Sequence, residues 1–118
     1  MSQITTYSAL VGQSLAWARQ MAGLDQSALA QHVGVGQSTW SKIERGESAL
    51  NVEQLERAAT RLGTTPSQIL NTADVGAAQL RHQGIHIASS KLDAVSPTMA
   101  VLSIAVLALL IAGIMRAK

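Results

Sequence analysis

The sequence predicts an all-α fold: five short helices, then a linker, then one C-terminal hydrophobic helix. Three observations carry that reading. Apolar residues recur at helical spacing through consecutive segments, and glycines stand at the ends of those segments. The aromatic set is only Tyr7, Trp17 and Trp40, so a core must be built from Leu, Ile, Val, Ala and Met, which suit helices better than sheets. At 118 residues there is room for one compact domain and an appendage, because single cores become marginal below about 60 residues.

The first helix is expected from Ser8 to Ala22, with Leu10, Val11, Leu15, Ala18 and Ala22 on its apolar side and Gly23 ending it. Asp25 is a good N-cap for a second, Gln26 to Val33, which presents Leu29 and Val33 inward and stops at Gly34. A third, Gln37 to Arg45, carries Trp40 and Ile43 on one face and ends at Gly46. Asn51 caps a fourth, Val52 to Leu62, whose stripe is Val52, Leu55, Ala58, Ala59 and Leu62, with Gly63 closing it. A fifth begins near Pro66, with Ile69 and Leu70 apolar.

These helices make residues 1–70 one domain. Residues 71–97 read as a linker, broken by Gly76, Gly84, Ser89, Ser90 and Pro97, although a helix could extend through Ala77 to Arg81. Thr98 to Met115 carries no charge, and at about 1.5 Å per residue its span of roughly 27 Å is just long enough for a bilayer. An oligomerisation helix in water would show a polar side, whereas this segment is apolar or small throughout after Thr98 except for Ser103. The expectation is therefore a transmembrane helix over residues 98–115, with Arg116 and Lys118 reaching headgroups. Nothing before Leu10 reads as an export signal. The expected placement is single-pass in the inner (cytoplasmic) membrane, with the N-terminal domain in the cytoplasm.

The net charge of +2 comes from the C-terminal part. In residues 1–70 the bases Arg19, Lys42, Arg45, Arg57 and Arg61 are matched by Asp25, Glu44, Glu47, Glu53 and Glu56, so bulk charge argues only weakly for a nucleic-acid partner. Cysteine is absent, no Ser, His and Asp set has the spacing of a nucleophile, and no glycine-rich phosphate loop follows a strand. An enzyme is not expected, nor is a cofactor. His32, His82 and His86 raise a metal site, but no acidic residue lies between Ala77 and Ser90 to complete one, and solvated histidines are the simpler reading.

The informative stretch is Leu24 to Gly46, two short helices separated by a glycine-containing turn, the helix-turn-helix arrangement. It needs a small residue such as Ala30 where the helices cross, a tight turn at Gly34 and a buried apolar residue at Val35; all three are present. The second of these helices can then enter a DNA major groove. Leu24-Asp25-Gln26, Leu29-Ala30, Val33-Gly34-Val35, Ser38-Thr39, Ile43-Glu44-Arg45-Gly46 and Leu62-Gly63-Thr64 resemble the Xre or phage-repressor (Cro/repressor-type) family.

The resemblance covers about residues 12–70 and implies a five-helix, lambda-repressor-like domain binding double-stranded DNA; because one short reading helix contacts few base pairs, a homodimer is expected. It implies a phosphate contact for Gln26 that also braces the third helix, and base or backbone contacts for Gln37, Ser38, Ser41 and Lys42. Gln suits adenine edges and Lys guanine. It implies a structural ion pair between Arg19 and Glu44, and gives Arg45 and Asn51 the DNA backbone. Gly36 departs from the family's Ser or Thr, a weaker cap, and Trp40 stands where many relatives have an aliphatic residue.

Trp17 occupies a normally solvated position and is read either as partial cover for the first helix or as a protein-partner surface. Two functions remain beside the membrane-tethered DNA-binding regulator. One is a membrane-anchored adaptor whose helix-turn-helix domain binds protein, and the other is the antitoxin of a two-gene module.

Overall fold

The computed structural model describes residues 2–89 and 99–117. In chain order the elements are β1 (Ser2–Thr6), α1 (Tyr7–Met21), α2 (Gln26–Val33), α3 (Gln37–Glu44), α4 (Val52–Arg61), α5 (Pro66–His82), β2 (His86–Ala88), β3 (Met99–Val101) and α6 (Ile104–Arg116). Side-chain caps set most helix starts. The Thr6 hydroxyl accepts from the Ala9 amide at 3.1 Å, Asp25 from Ala28 at 2.7 Å and Thr65 from Gln68 at 3.2 Å. Asn51 and Gln54 bond reciprocally in a capping box at the start of α4, which satisfies two otherwise orphaned amides.

The helix α1 is the shared wall of the fold: α3 packs on one part of it and α5 and α6 on others. The centre of the core is Leu10, Leu15, Leu29, Val33, Trp40, Ile43, Leu107 and Ile111, all excluded from solvent. Each such side chain stabilises by roughly 1.5–3 kcal/mol relative to exposure. Ala58, Ala59, Ala73 and Ala77 are buried where α4 and α5 approach their neighbours. Gly76 on α5 faces Leu10, Leu110 and Ile114; a Cβ there would stand 3.2 Å from Leu10 of α1, a tight approach, and in ordinary contact with the two α6 side chains.

Two expectations about the chain's second half are corrected. Residues 71–82 do not belong to a linker: α5 runs unbroken for 17 residues to His82, burying Thr72, Ala73, Gly76, Ala77 and Leu80. Small residues allow close packing there, which weakens the apolar periodicity without breaking the helix. The rest of the expected linker holds β2, and residues 90–98 lie outside the described part. The fold is also not all-α. β1, whose Ile4, Thr5 and Thr6 are β-branched, lies between β2 and β3 in a small parallel sheet, with Ile4 opposite His86 and Val101. The Ile4 carbonyl also accepts from the Leu102 amide at 2.7 Å.

The transmembrane helix expected over residues 98–115 is not present. Within it Met99–Val101 form β3, Ser103 caps the start of α6 through the Val106 amide at 3.3 Å, and among the described residues of the segment the helix is α6, 13 residues long. A helix of that length covers about 20 Å, against a hydrocarbon core of about 30 Å. Among the described residues no helix is long and apolar enough to cross a membrane, and the single-pass, inner-membrane placement falls with it. The apolar surface has another destination: Leu102, Leu107, Ile111 and Ile114 are buried against the helical core. An apolar helix can also be taken up by a core, and here α1 and α5 supply one.

Tyr7 ties the beginning of α1 to the middle of α5, its hydroxyl donating to Asp74 at 2.6 Å. Burial, then the hydrogen bond and the Asp74 charge, push the phenol up from 10.0 to about 12. Because the folded-state value is raised, this contribution to stability is complete below the unfolded-state value near 10 and is lost as pH rises toward about 12. Tyr7 is the single tyrosine of the chain. Ultraviolet titration of its phenolate should give an apparent value near 12 in the folded chain and near 10 after denaturation; equal values would contradict the contact.

Candidate nucleic-acid interface

The two helices α2 and α3 meet through a three-residue turn. Gly34 takes a left-handed conformation, φ 95°, and both its amide and that of Val35 donate to the Ala30 carbonyl, at 2.9 and 3.0 Å. Val35 packs half-buried against the core, and Ala30 is buried beneath the turn. The side of α3 that carries Trp40, Ile43 and Glu44 is buried. Gln37, Ser38, Thr39 and Lys42 face solvent, Ser41 is half-buried and Arg45 is exposed just beyond the helix. Gly36 gives α3 no side-chain cap, so its first-turn amides are available to an outside acceptor.

The buried Glu44 carboxylate holds α3 in place. Arg19 on α1 donates from Nε to Oε2 at 2.7 Å and from Nη2 to Oε1 at 3.1 Å. Trp40 adds its indole N–H to Oε2 at 2.7 Å, and Gln26 its Nε2 to Oε1 at 2.8 Å. Both oxygens therefore accept two bonds, and burial of the charge is compensated by a geometry-matched guanidinium and two neutral donors. Arg19 also donates to the Leu24 carbonyl at 2.9 Å, tying in the loop before α2. The network reaches the surface at one point: Gln37 donates to the Gln26 Oε1 at 2.8 Å.

The backbone of α3 is held as tightly. Gln13 on α1 donates to the Glu44 carbonyl at 2.7 Å. Gly12 lies beside it, where a Cβ would stand 2.2 Å from the Ile43 carbonyl oxygen and 2.6 Å from that of Glu44. Gly46, at φ 74°, closes the other side of the same contact, since a Cβ there would meet the Ala9 backbone at 2.5 Å. Glycine at both positions lets α1 and the end of α3 approach nearly to backbone contact.

The structure thus brings Gln26, Gln37, Arg19 and Glu44 into one network and sets Ser38 and Lys42 beside it on the open face of α3. Arg45 bonds to Ser41 and pairs with Glu47, which orders it along the end of α3. Asn51 stands apart, with its side-chain oxygen committed to capping α4. Sequence reasoning passed over three participants. Thr39 is exposed on α3 between the expected contact residues. Gln13 is buried on an apolar helix face, a signal in itself, since a buried amide needs partners. Arg57 on α4 reaches back to the Val33 carbonyl at 3.2 Å and closes the end of α2, where a cation suits the helix dipole.

Trp17 lies on another surface, half-buried against the core. With Met21, Leu62, Gln68, Ile69 and Met115 it lines an open groove of about 410 Å³. His32, His82 and His86 are exposed on three separate elements, α2, α5 and β2.

A family model described as a helix-turn-helix domain matches residues 10–70, just over half of the chain. Among solved structures, the chain is similar to the crystal structure of the clp gene regulator ClgR from Corynebacterium glutamicum. The two share 27% identity over 66% of this chain and 82% of that one, with a TM-score of 0.61. No curated protein matches the chain significantly.

Two substitutions test the geometry of α3. Glu44→Ala strips three donors of their acceptor and leaves the Arg19 charge buried, and is expected to cost about 3–5 kcal/mol in urea unfolding. Gly12→Ala places a methyl group against unyielding backbone and is expected to cost about 1–3 kcal/mol. Wild-type unfolding midpoints for either variant would contradict the contacts described.

Proposed function

Because the chain belongs to the helix-turn-helix domain family, we propose that it is a sequence-specific DNA-binding transcriptional regulator that reads the major groove with α3. The observation that carries this is the division of α3 itself. One side is fixed to α1 and α2 through the buried Glu44, and the other presents Gln37, Ser38, Thr39 and Lys42 to solvent. A fixed polar helix face with free first-turn amides is what groove insertion requires. The similarity to a gene regulator supports the same reading.

In this assignment Gln37 contacts a base edge, adenine being its best partner, and Lys42 contacts guanine or the neighbouring phosphate. Gln26 braces Gln37 and presents the amide end of α2 to a phosphate. Ser38 and Ser41 supply hydroxyls to base or backbone, while Arg45 and the start of α4 near Asn51 lie toward the flanking backbone. A reading helix of 8 residues contacts few base pairs. A homodimer on two half-sites about one DNA turn apart supplies the missing specificity.

Charge adds a quantitative expectation. The cations and anions of residues 1–70 are equal in number, so few phosphates are neutralised. With about two contacts per protomer, the log–log salt slope for a dimer is roughly −3 to −4. A protein-binding reading is favoured by one observation, the groove at Trp17, and salt separates the two, because an apolar contact there weakens little with ionic strength.

The test is fluorescence anisotropy on DNA from upstream of the chain's own reading frame, with unrelated competitor present. Gln37→Ala and Lys42→Ala are each expected to lower specific affinity about 10- to 100-fold. If Lys42 meets phosphate, Lys42→Ala should also flatten the dimer's salt slope by about two, one contact being lost per protomer. Unchanged affinity and site discrimination in the double variant would overturn the assignment.

A further inference from the structure

The outer face of α6 is apolar and has no partner among the described residues. Its buried side is Leu107, Ile111 and Ile114. Its open side, by helical position, is the stripe Ala105, Val106, Leu109, Ala112 and Gly113, with Arg116 at its end. Leu109 is 72% exposed and Val106 45%, and Val101 on the adjoining β3 is 69% exposed. Among the described residues, three of the five exposed large apolar side chains thus fall on this one element and its neighbour. Exposed apolar residues scattered singly are ordinary, but a contiguous row without a polar interruption marks a contact surface.

Gly113 supplies a second, independent observation. Glycine inside a helix is destabilising relative to alanine. Here φ is ordinary for a helix, and a Cβ at this position would meet nothing within 4 Å. No contact among the described residues calls for glycine. A helix approaching from outside does, because the missing side chain lets two backbones come close.

We propose that this face is the surface on which a second copy of the chain docks, α6 packing antiparallel on its counterpart about a two-fold axis at Leu109. This rests in part on the dimeric DNA-reading proposal and names the surface that serves it. The stripe is self-complementary in that arrangement: Leu109 meets Leu109, Ala105 meets Gly113 and Val106 meets Ala112. A parallel pairing would instead bring the two Arg116 side chains together, and the antiparallel one separates them. No charge lies on the stripe before Arg116, so a charged partner surface has nothing to pair with.

Magnitudes set the strength. Half the lateral surface of a helix about 20 Å long and roughly 5–6 Å in radius is on the order of 350 Å². A stable interface buries about 800 Å² per partner. Even with Val101 added, α6 supports a weak dimer, one that forms in solution at high concentration and is completed when two copies share a DNA site.

Sedimentation equilibrium of the full chain from about 1 μM to 1 mM tests this. The average mass should rise from that of one chain toward that of two. Leu109→Lys and Gly113→Leu should each stay monomeric across the range, with unchanged circular dichroism. The chain has no cysteine, so introduced thiols report orientation. Leu109→Cys should cross-link to itself on oxidation, and Ala105→Cys should cross-link to Gly113→Cys in preference to itself.

A wild-type chain monomeric throughout, or a Leu109→Lys chain that dimerises like wild type, would overturn the proposal. So would binding to neutral phosphatidylcholine vesicles through this face without self-association. The DNA reading fails separately: a chain that dimerises through α6 yet binds no DNA specifically leaves this surface standing. Leu109→Lys should keep the wild-type base preference while losing tenfold or more in affinity for a double site.

Discussion

The position of α3 depends on one buried carboxylate. Glu44 receives Arg19 from α1, Gln26 from α2 and Trp40 from its own helix, so three elements are referred to a single point. A carboxylate buried without those donors would be costly enough to change protonation state or expel the helix. With them, it converts the crossing of α1, α2 and α3 into a fixed geometry. The arrangement is asymmetric in its consequences: the same atoms that cost most to leave unpaired are the ones that specify the orientation of the exposed row from Gln37 to Lys42.

The rest of the chain supports that point from behind. α1 bears Arg19 and Gln13 on the side toward α3, and its other sides are packed by α5 and α6. β1 precedes α1 directly and is held between β2 and β3, so both ends of the domain are tied to the start of the same helix. Gly12 and Gly46 remove the side chains that would hold α1 and α3 apart. The short apolar helix α6 then completes the core that five helices leave open along α1 and α5, burying Leu107, Ile111 and Ile114 there.

The first four helices and the start of the fifth were legible because most of their ends are marked in the sequence. Asp25, Asn51 and Pro66 mark starts, Gly23, Gly34, Gly46 and Gly63 mark stops, and the apolar residues between them keep one period. Arg19 and Glu44 were readable only as a family position, since they lie 25 residues apart. Gln13, Trp40 and Gln26 could not be joined to them without the fold. The C-terminal part misled for a physical reason. An uncharged run of 18 residues has the composition of a membrane span, and composition does not record that Ser103 divides it into a strand and a 13-residue helix. Gly76 likewise reads as a break, whereas it lies inside α5, buried, with Leu10 of α1 close against it. Three-residue strands such as β2 and β3 are defined by their pairing with β1 more than by their own residues.

In the function proposed above, the polar face of α3 on a nearly neutral domain reads DNA with modest electrostatic affinity and takes its selectivity from few contacts held in register. The measurement that tests this most directly is nuclear magnetic resonance of the nitrogen-labelled chain titrated with its upstream DNA. The amide and side-chain signals of Gln26, Gln37, Ser38, Thr39 and Lys42 should move, while the Trp40 indole N–H, held by Glu44, stays in place. Shifts confined to the Trp17 groove or to α6, with α3 unchanged, would contradict the account.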